Sequence, residues 1–135
     1  MIEIAGYEQD LEDRNASRIS LDEQKERLIT NPATGLPDYL RLQARCVRAF
    51  GPAVGIFLRQ AVYWTGKSTK LEGAWFYKSR ERWRKETGLS NRQQEKARKV
   101  LKDQSILTEK RVSRRSPLHF KVDLEYLEFV LEARE

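Results

Sequence analysis

The chain has 135 residues, 39% hydrophobic and 34% charged, which is enough apolar side chain for one packed core and too much for a disordered chain. No uncharged apolar run is long enough to span a bilayer, the start Met1–Glu8 has neither the basic opening nor the apolar stretch of a secretory signal, and Cys46 is the only cysteine, so a soluble protein of a reducing cytoplasm, away from membranes, is expected. The net charge of +6 is unevenly spread: residues 1–30 carry eight acids against four bases, whereas Ala74–Lys121 carries fifteen Lys and Arg against five Asp and Glu. That pattern makes a polyanion the partner to suspect, with ordinary solvated helix faces as the alternative.

Residues 1–19 are acidic and aperiodic and read as a loose arm, which could fold back on a basic face, contact a partner or only add solubility. Ser20-Leu21-Asp22-Glu23 fits a capping box opening a short helix to about Ile29. Asn31-Pro32-Ala33-Thr34-Gly35-Leu36-Pro37 stops it and divides an arm with a short helix, residues 1–37, from the main domain, residues 38–135. From Asp38 to Phe50, Tyr39, Leu42, Cys46, Ala49 and Phe50 recur at helical spacing with Arg41, Arg45 and Arg48 on another face. Gly51-Pro52 breaks that helix, and Val54, Phe57, Leu58, Ala61 and Trp64 form a second stripe, predicted to be the most buried.

Gly66–Gly73 reads as a polar loop and Trp75-Phe76-Tyr77 as a short edge strand. Ser79 caps a helix over Arg80–Thr87, Gly88 ends it, and Ser90 caps the next helix, which runs to about Gln104 with a second capping box, Ser90–Gln93. Ile106–Val112 and Leu118–Val122 alternate as strands, with His119 and Lys121 on the face away from Leu118, Phe120 and Val122, and Asp123 caps an amphipathic helix over Leu124–Arg134. The predicted fold is mainly α with a small β-hairpin: a winged helix-turn-helix with extra N-terminal helices and a C-terminal helix.

With Ala97 set inward at 100° per residue, Ser90, Gln93, Gln94, Val100, Leu101 and Gln104 fall on the same half of the helix, while Asn91, Arg92, Glu95, Lys96, Arg98, Lys99 and Lys102 point outward. Such a face suits the major groove, which admits a helix and shows a distinct donor and acceptor pattern for each base pair. Asn91, Arg92 and Lys96 are the candidate base readers, Arg92 toward guanine and Asn91 toward adenine, with Lys99 and Lys102 on phosphates. Glu95 either accepts from cytosine or pairs with Lys99, and pairing is the favoured reading. Lys110, Arg111, Arg114, Arg115 and Lys121 of the hairpin would hold phosphates or enter the minor groove, and Arg80, Arg82, Arg84 and Lys85 of the preceding helix could grip the backbone.

Other motifs carry less. Gly66-Lys67-Ser68 imitates a P-loop end but lacks the first glycine; His119 is the sole histidine; Cys46 sits on an apolar helix face. Trp64, Trp75 and Trp83 could stack on unpaired bases, though their positions favour burial. No enzyme activity, metal or cofactor is expected.

The segments Ile56–Trp64, Trp75–Ser79, Thr87–Leu101 and Ser116–Val122, in that order, resemble the winged-helix domain of phage and plasmid replication-initiation proteins of the replisome-organiser type. The likeness covers about residues 51–123. It implies a phage or mobile-element protein in a bacterial host that binds double-stranded DNA, with its recognition helix at Ser90–Gln104 and its wing at Ser113–Pro117. Two departures stand out: Ser105 where glycine often follows the recognition helix, and a wing without glycine. The function expected is therefore sequence-specific duplex-DNA binding, in transcription regulation or replication initiation. A homodimer through Leu124–Arg134 or the N-terminal helices would match paired half-sites. The alternative is a protein-binding module of the same fold, such as a phage counter-defence inhibitor whose basic face docks on a host or phage protein.

Overall fold

The computed structural model describes residues 20–67 and 73–135. The arm over residues 1–19 and residues 68–72 of the polar loop lie outside that range. The first helix, α1, spans Leu21–Ile29 and starts where the Ser20 hydroxyl accepts the Glu23 amide at 3.2 Å. The Asn31–Pro37 turn folds back on itself: Thr30 bridges Pro37, the Asp38 amide donates to the Ile29 carbonyl at 2.7 Å, and Gly35 takes a φ of +72°. Leu28 is fully buried in the same core as the later helices. The Lys25 ammonium donates to the Tyr63 and Thr65 carbonyls at 2.7 Å each, satisfying free carbonyls at the end of the Pro52–Trp64 helix.

Helix α2, Tyr39–Phe50, is capped by Asp38, and α3, Pro52–Trp64, begins with Pro52 at its first turn. As predicted, α3 is the central helix, burying Val54, Gly55, Phe57, Leu58, Gln60, Ala61 and Val62. Gly55 is what lets α2 approach it, because a Cβ there would sit 2.6 Å from the backbone of Val47. Arg45, expected on a solvated face, is instead 8% exposed. Its Nε donates to Glu135 at 2.6 Å, so the end of the C-terminal helix covers it.

Strand β1, Phe76–Tyr77, precedes α4, Arg80–Thr87, and α5, Asn91–Asp103; β2, Leu107–Lys110, and β3, His119–Val122, lead into α6, Leu124–Arg134. The strands form an antiparallel sheet of order β1-β3-β2, so β1 extends the predicted hairpin to three strands. Both hairpin strands are shorter than the alternation suggested, because Arg111 and Val112 leave the ladder for a loop in which Ser113 and Ser116 bond to each other. Ser105 adopts a φ of +63° between α5 and β2, the left-handed conformation for which glycine is the usual residue.

The core is continuous across these elements. Phe57 of α3 stacks on Trp83 of α4 at 4.1 Å, and Trp83 meets Phe120 of β3 edge-on at 5.5 Å. Ala97 and Leu101 of α5 and Leu124, Leu127 and Leu131 of α6 complete it. Each large apolar side chain fully buried in this way contributes about 1.5–3 kcal/mol. Thr65 ties helix to sheet, its hydroxyl donating to the Ala61 carbonyl at 2.8 Å and accepting the Val122 amide at 3.2 Å. Among the described residues the architecture is mainly helical with a small antiparallel sheet, an α+β protein.

Candidate nucleic-acid interface

Local chemistry fixes how α5 is presented. Ser79 caps α4 and Gly88 ends it in the left-handed region, at φ +77° and ψ 2°. Leu89 is buried, and the Ser90–Gln93 capping box forms in both directions, at 3.2 and 2.9 Å. Gln94, only 2% exposed, donates its two amide hydrogens to the Arg80 and Leu89 carbonyls at 3.1 Å each. That side chain locks the start of α4 and the interhelix turn to α5. With Gln94, Ala97 and Leu101 turned inward, Asn91, Arg92, Glu95, Lys96, Lys99 and Lys102 are exposed; Ser90 and Gln93, expected on the inner half, are exposed as well, because their side chains close the capping box at the helix start.

These exposed groups divide into engaged and free. Glu95 does not pair with Lys99; it meets Arg80 across the interhelix turn at 3.3 Å, and Lys99 pairs with Asp103 at 3.1 Å. All four side chains are more than half exposed, so these pairs contribute little and are readily exchanged for phosphate. Arg92 and Lys96 have no acidic partner among the described residues, and Asn91 is exposed beside them. The three candidate base readers therefore occupy an uncommitted patch on the first two turns of α5.

Arg98, predicted to point outward, is the exception. It lies against the sheet, and its guanidinium grips Glu109 of β2 at two points, 2.6 and 3.0 Å, while Lys102 donates to the same carboxylate at 3.1 Å. Burial of the Glu109 carboxyl opposes ionisation, but the hydrogen bonds from Arg98 and Lys102 outweigh it and hold the group below the usual glutamate range. Lys102 is thus a strut between α5 and β2 rather than a free phosphate contact.

On the hairpin, Arg111, Arg114 and Arg115 are exposed at and beside the loop, without acidic partners among the described residues. Lys110 and Lys121 face elsewhere. Glu109 and Phe120 lie opposite each other on the sheet face toward α5, so strand alternation sends Lys110 and Lys121 to the other face. There both ammonium groups lie over the Trp75 ring, 4.2 and 4.9 Å from its centroid. Trp83 is buried as expected, whereas Trp64 and Trp75 are only half-buried. His119 shares the outer face with Lys121 as predicted, yet it is 8% exposed because Tyr77 covers it.

A second acidic hub braces α4. Glu86 accepts from Gln60 at 2.6 Å, Trp64 Nε1 at 2.7 Å and Lys78 at 2.6 Å, with Arg82 at 3.5 Å. Burial works against its carboxylate, but these donors prevail and lower its pKa; burial also lowers that of Lys78, against the pull of Glu86. Glu86 and Glu109 both escaped the sequence reading. The available signal was their rarity, since they are two of only five acids within Ala74–Lys121.

Comparison with protein-family models, with curated proteins and with solved structures found no match.

Proposed function

We propose that this chain is a winged helix-turn-helix protein that binds double-stranded DNA, with α5 as the recognition helix in the major groove and the β2–β3 loop as a basic wing. The observation that carries this reading is the uncommitted patch of Asn91, Arg92 and Lys96 on a helix whose cationic neighbours are otherwise tied into ion pairs. Unpaired cations at exposed positions are the groups that gain by replacing counterions on phosphate or by meeting base edges. Arg111, Arg114 and Arg115 supply the backbone contacts beside them.

The likeness of the sequence to replication-initiation winged helices supports a role in DNA replication or transcription control of a phage or mobile element as part of this proposal. A dimer through α6 fits the same reading: Tyr126 and Phe129 stack at 6.2 Å on its outer side, 40% and 65% exposed. Selection of duplexes from a random pool tests the proposal. Wild type recovers a motif, and Arg92→Ala relaxes it at guanine positions; recovery of no motif, together with capture of a protein from nuclease-treated host lysate, would favour the protein-binding alternative.

A further inference from the structure

The face of the sheet turned away from α5 carries a second set of groups that duplex binding through α5 leaves unused. Tyr77 lies opposite His119, and His119 opposite Lys110, so these side chains share the outer face with Lys121. Tyr77 is 59% exposed. Its ring rests 5.6 Å from the His119 ring, and the His119 Nδ1–H donates to the Pro117 carbonyl at 2.9 Å, which fixes the imidazole as a firm backing. Two residues before Tyr77, about 7 Å along an extended chain, Trp75 gathers the ammonium groups of Lys110 and Lys121 over its ring.

Neither lysine has an acidic partner among the described residues. Two like charges drawn to one ring repel each other, and an anion placed between them relieves that repulsion. An exposed flat ring beside a doubled cationic point is the pairing that takes one unpaired base and its phosphate. A base within a duplex offers no free face to Tyr77, so the fit is to a single strand. We infer that the outer sheet face, with Tyr77 as stacking platform and Lys110 and Lys121 as phosphate clamp, binds single-stranded nucleic acid. The site is separate from α5 and stands whether or not α5 binds duplex.

Fluorescence anisotropy with labelled oligo-dT and oligo-rU of about twelve nucleotides, a length within known single-strand site sizes, tests this on the full chain. Wild type binds at low salt, and Tyr77→Ala weakens binding about ten-fold or more, in line with loss of one stacked base. Tyr77→Phe stays within about two-fold of wild type, and Lys121→Gln weakens binding and flattens its salt dependence. Arg27→Ala, which removes an exposed cation of α1 outside both sites, leaves oligomer binding unchanged. Binding of either oligomer that depends on Tyr77 supports the inference, and the tighter one names the backbone preferred. No oligomer binding by wild type, or a Tyr77→Ala variant of unchanged thermal stability that binds as tightly as wild type, would overturn it. Duplex binding that fails while Tyr77-dependent oligomer binding persists would instead remove the proposed role of α5 and leave this site in place.

Discussion

Glu109→Gln removes the charge that joins α5 to the sheet while keeping the side chain's shape. The Glu109 and Arg98 side chains are 10% and 18% exposed, and Lys102 is 43% exposed, so the Arg98 contact is the nearly buried one. Breaking a buried pair by removing one partner costs about 3–5 kcal/mol; residual exposure and the amide's remaining acceptor oxygen place the expected loss near the lower end, about 3 kcal/mol. For a chain of this size that lowers Tm by roughly 10 °C. Thermal and urea unfolding followed by circular dichroism measure it, and the double variant Arg98→Met/Glu109→Gln should recover part of the loss because no buried charge is left alone. Acid should mimic the substitution. The folded Glu109 pKa lies below its ordinary value of 4.5, so the folded state binds fewer protons, and its contribution is present above that value and fades as pH falls through the lowered one. A loss under about 1 kcal/mol for Glu109→Gln, with no recovery in the double variant, would refute the reasoning.

Three further perturbations follow from the same contacts. Gly55→Ala puts a Cβ 2.6 Å from the Val47 backbone, so overpacking of about 1–3 kcal/mol should exceed the helix-propensity gain of about 1 kcal/mol; a variant as stable as wild type in urea would contradict the close α2–α3 approach. Gln94→Leu removes the amide hydrogens that the Arg80 and Leu89 carbonyls accept and should cost about 1–3 kcal/mol and weaken duplex binding, whereas unchanged stability and affinity would show that the interhelix turn needs no lock. Burial, reinforced by the charge of Lys67, lowers the Lys25 pKa from 10.5 to about 8. The folded state therefore loses that proton first, and stability relative to a Lys25→Met variant should rise between about pH 8 and 10; a pH-independent difference in Tm would contradict it.

What the sequence made legible was local. The Ser79, Ser90 and Asp123 caps, the Gly88 stop and the apolar stripe of α3 each rest on neighbours within one or two turns, and the structure places them as read. What it concealed was the meeting of residues distant in the chain. Arg45 reads as solvated until Glu135, ninety positions on, covers it. Arg98 falls on the outer half of an isolated helix, and only the approach of β2 turns its guanidinium toward Glu109. Gly55 resembles a helix defect in one dimension and is a contact point in three. Within the candidate interface, Asn91, Arg92 and Lys96 were found by helical periodicity, which α5 obeys. Lys110 and Lys121 were grouped with the wing by charge alone, whereas strand alternation assigns them to the opposite face.

Duplex binding measured by anisotropy across a salt series bears most directly on the role given to α5. For about six neutralised phosphates, log affinity should fall against log salt with a slope near −5. The double variant Arg92→Ala/Lys96→Ala should bind markedly more weakly and with a shallower slope, while Arg27→Ala, which removes an exposed cation of α1, should match wild type. Equal losses from both variants, or a salt-independent affinity, would contradict recognition through the exposed face of α5.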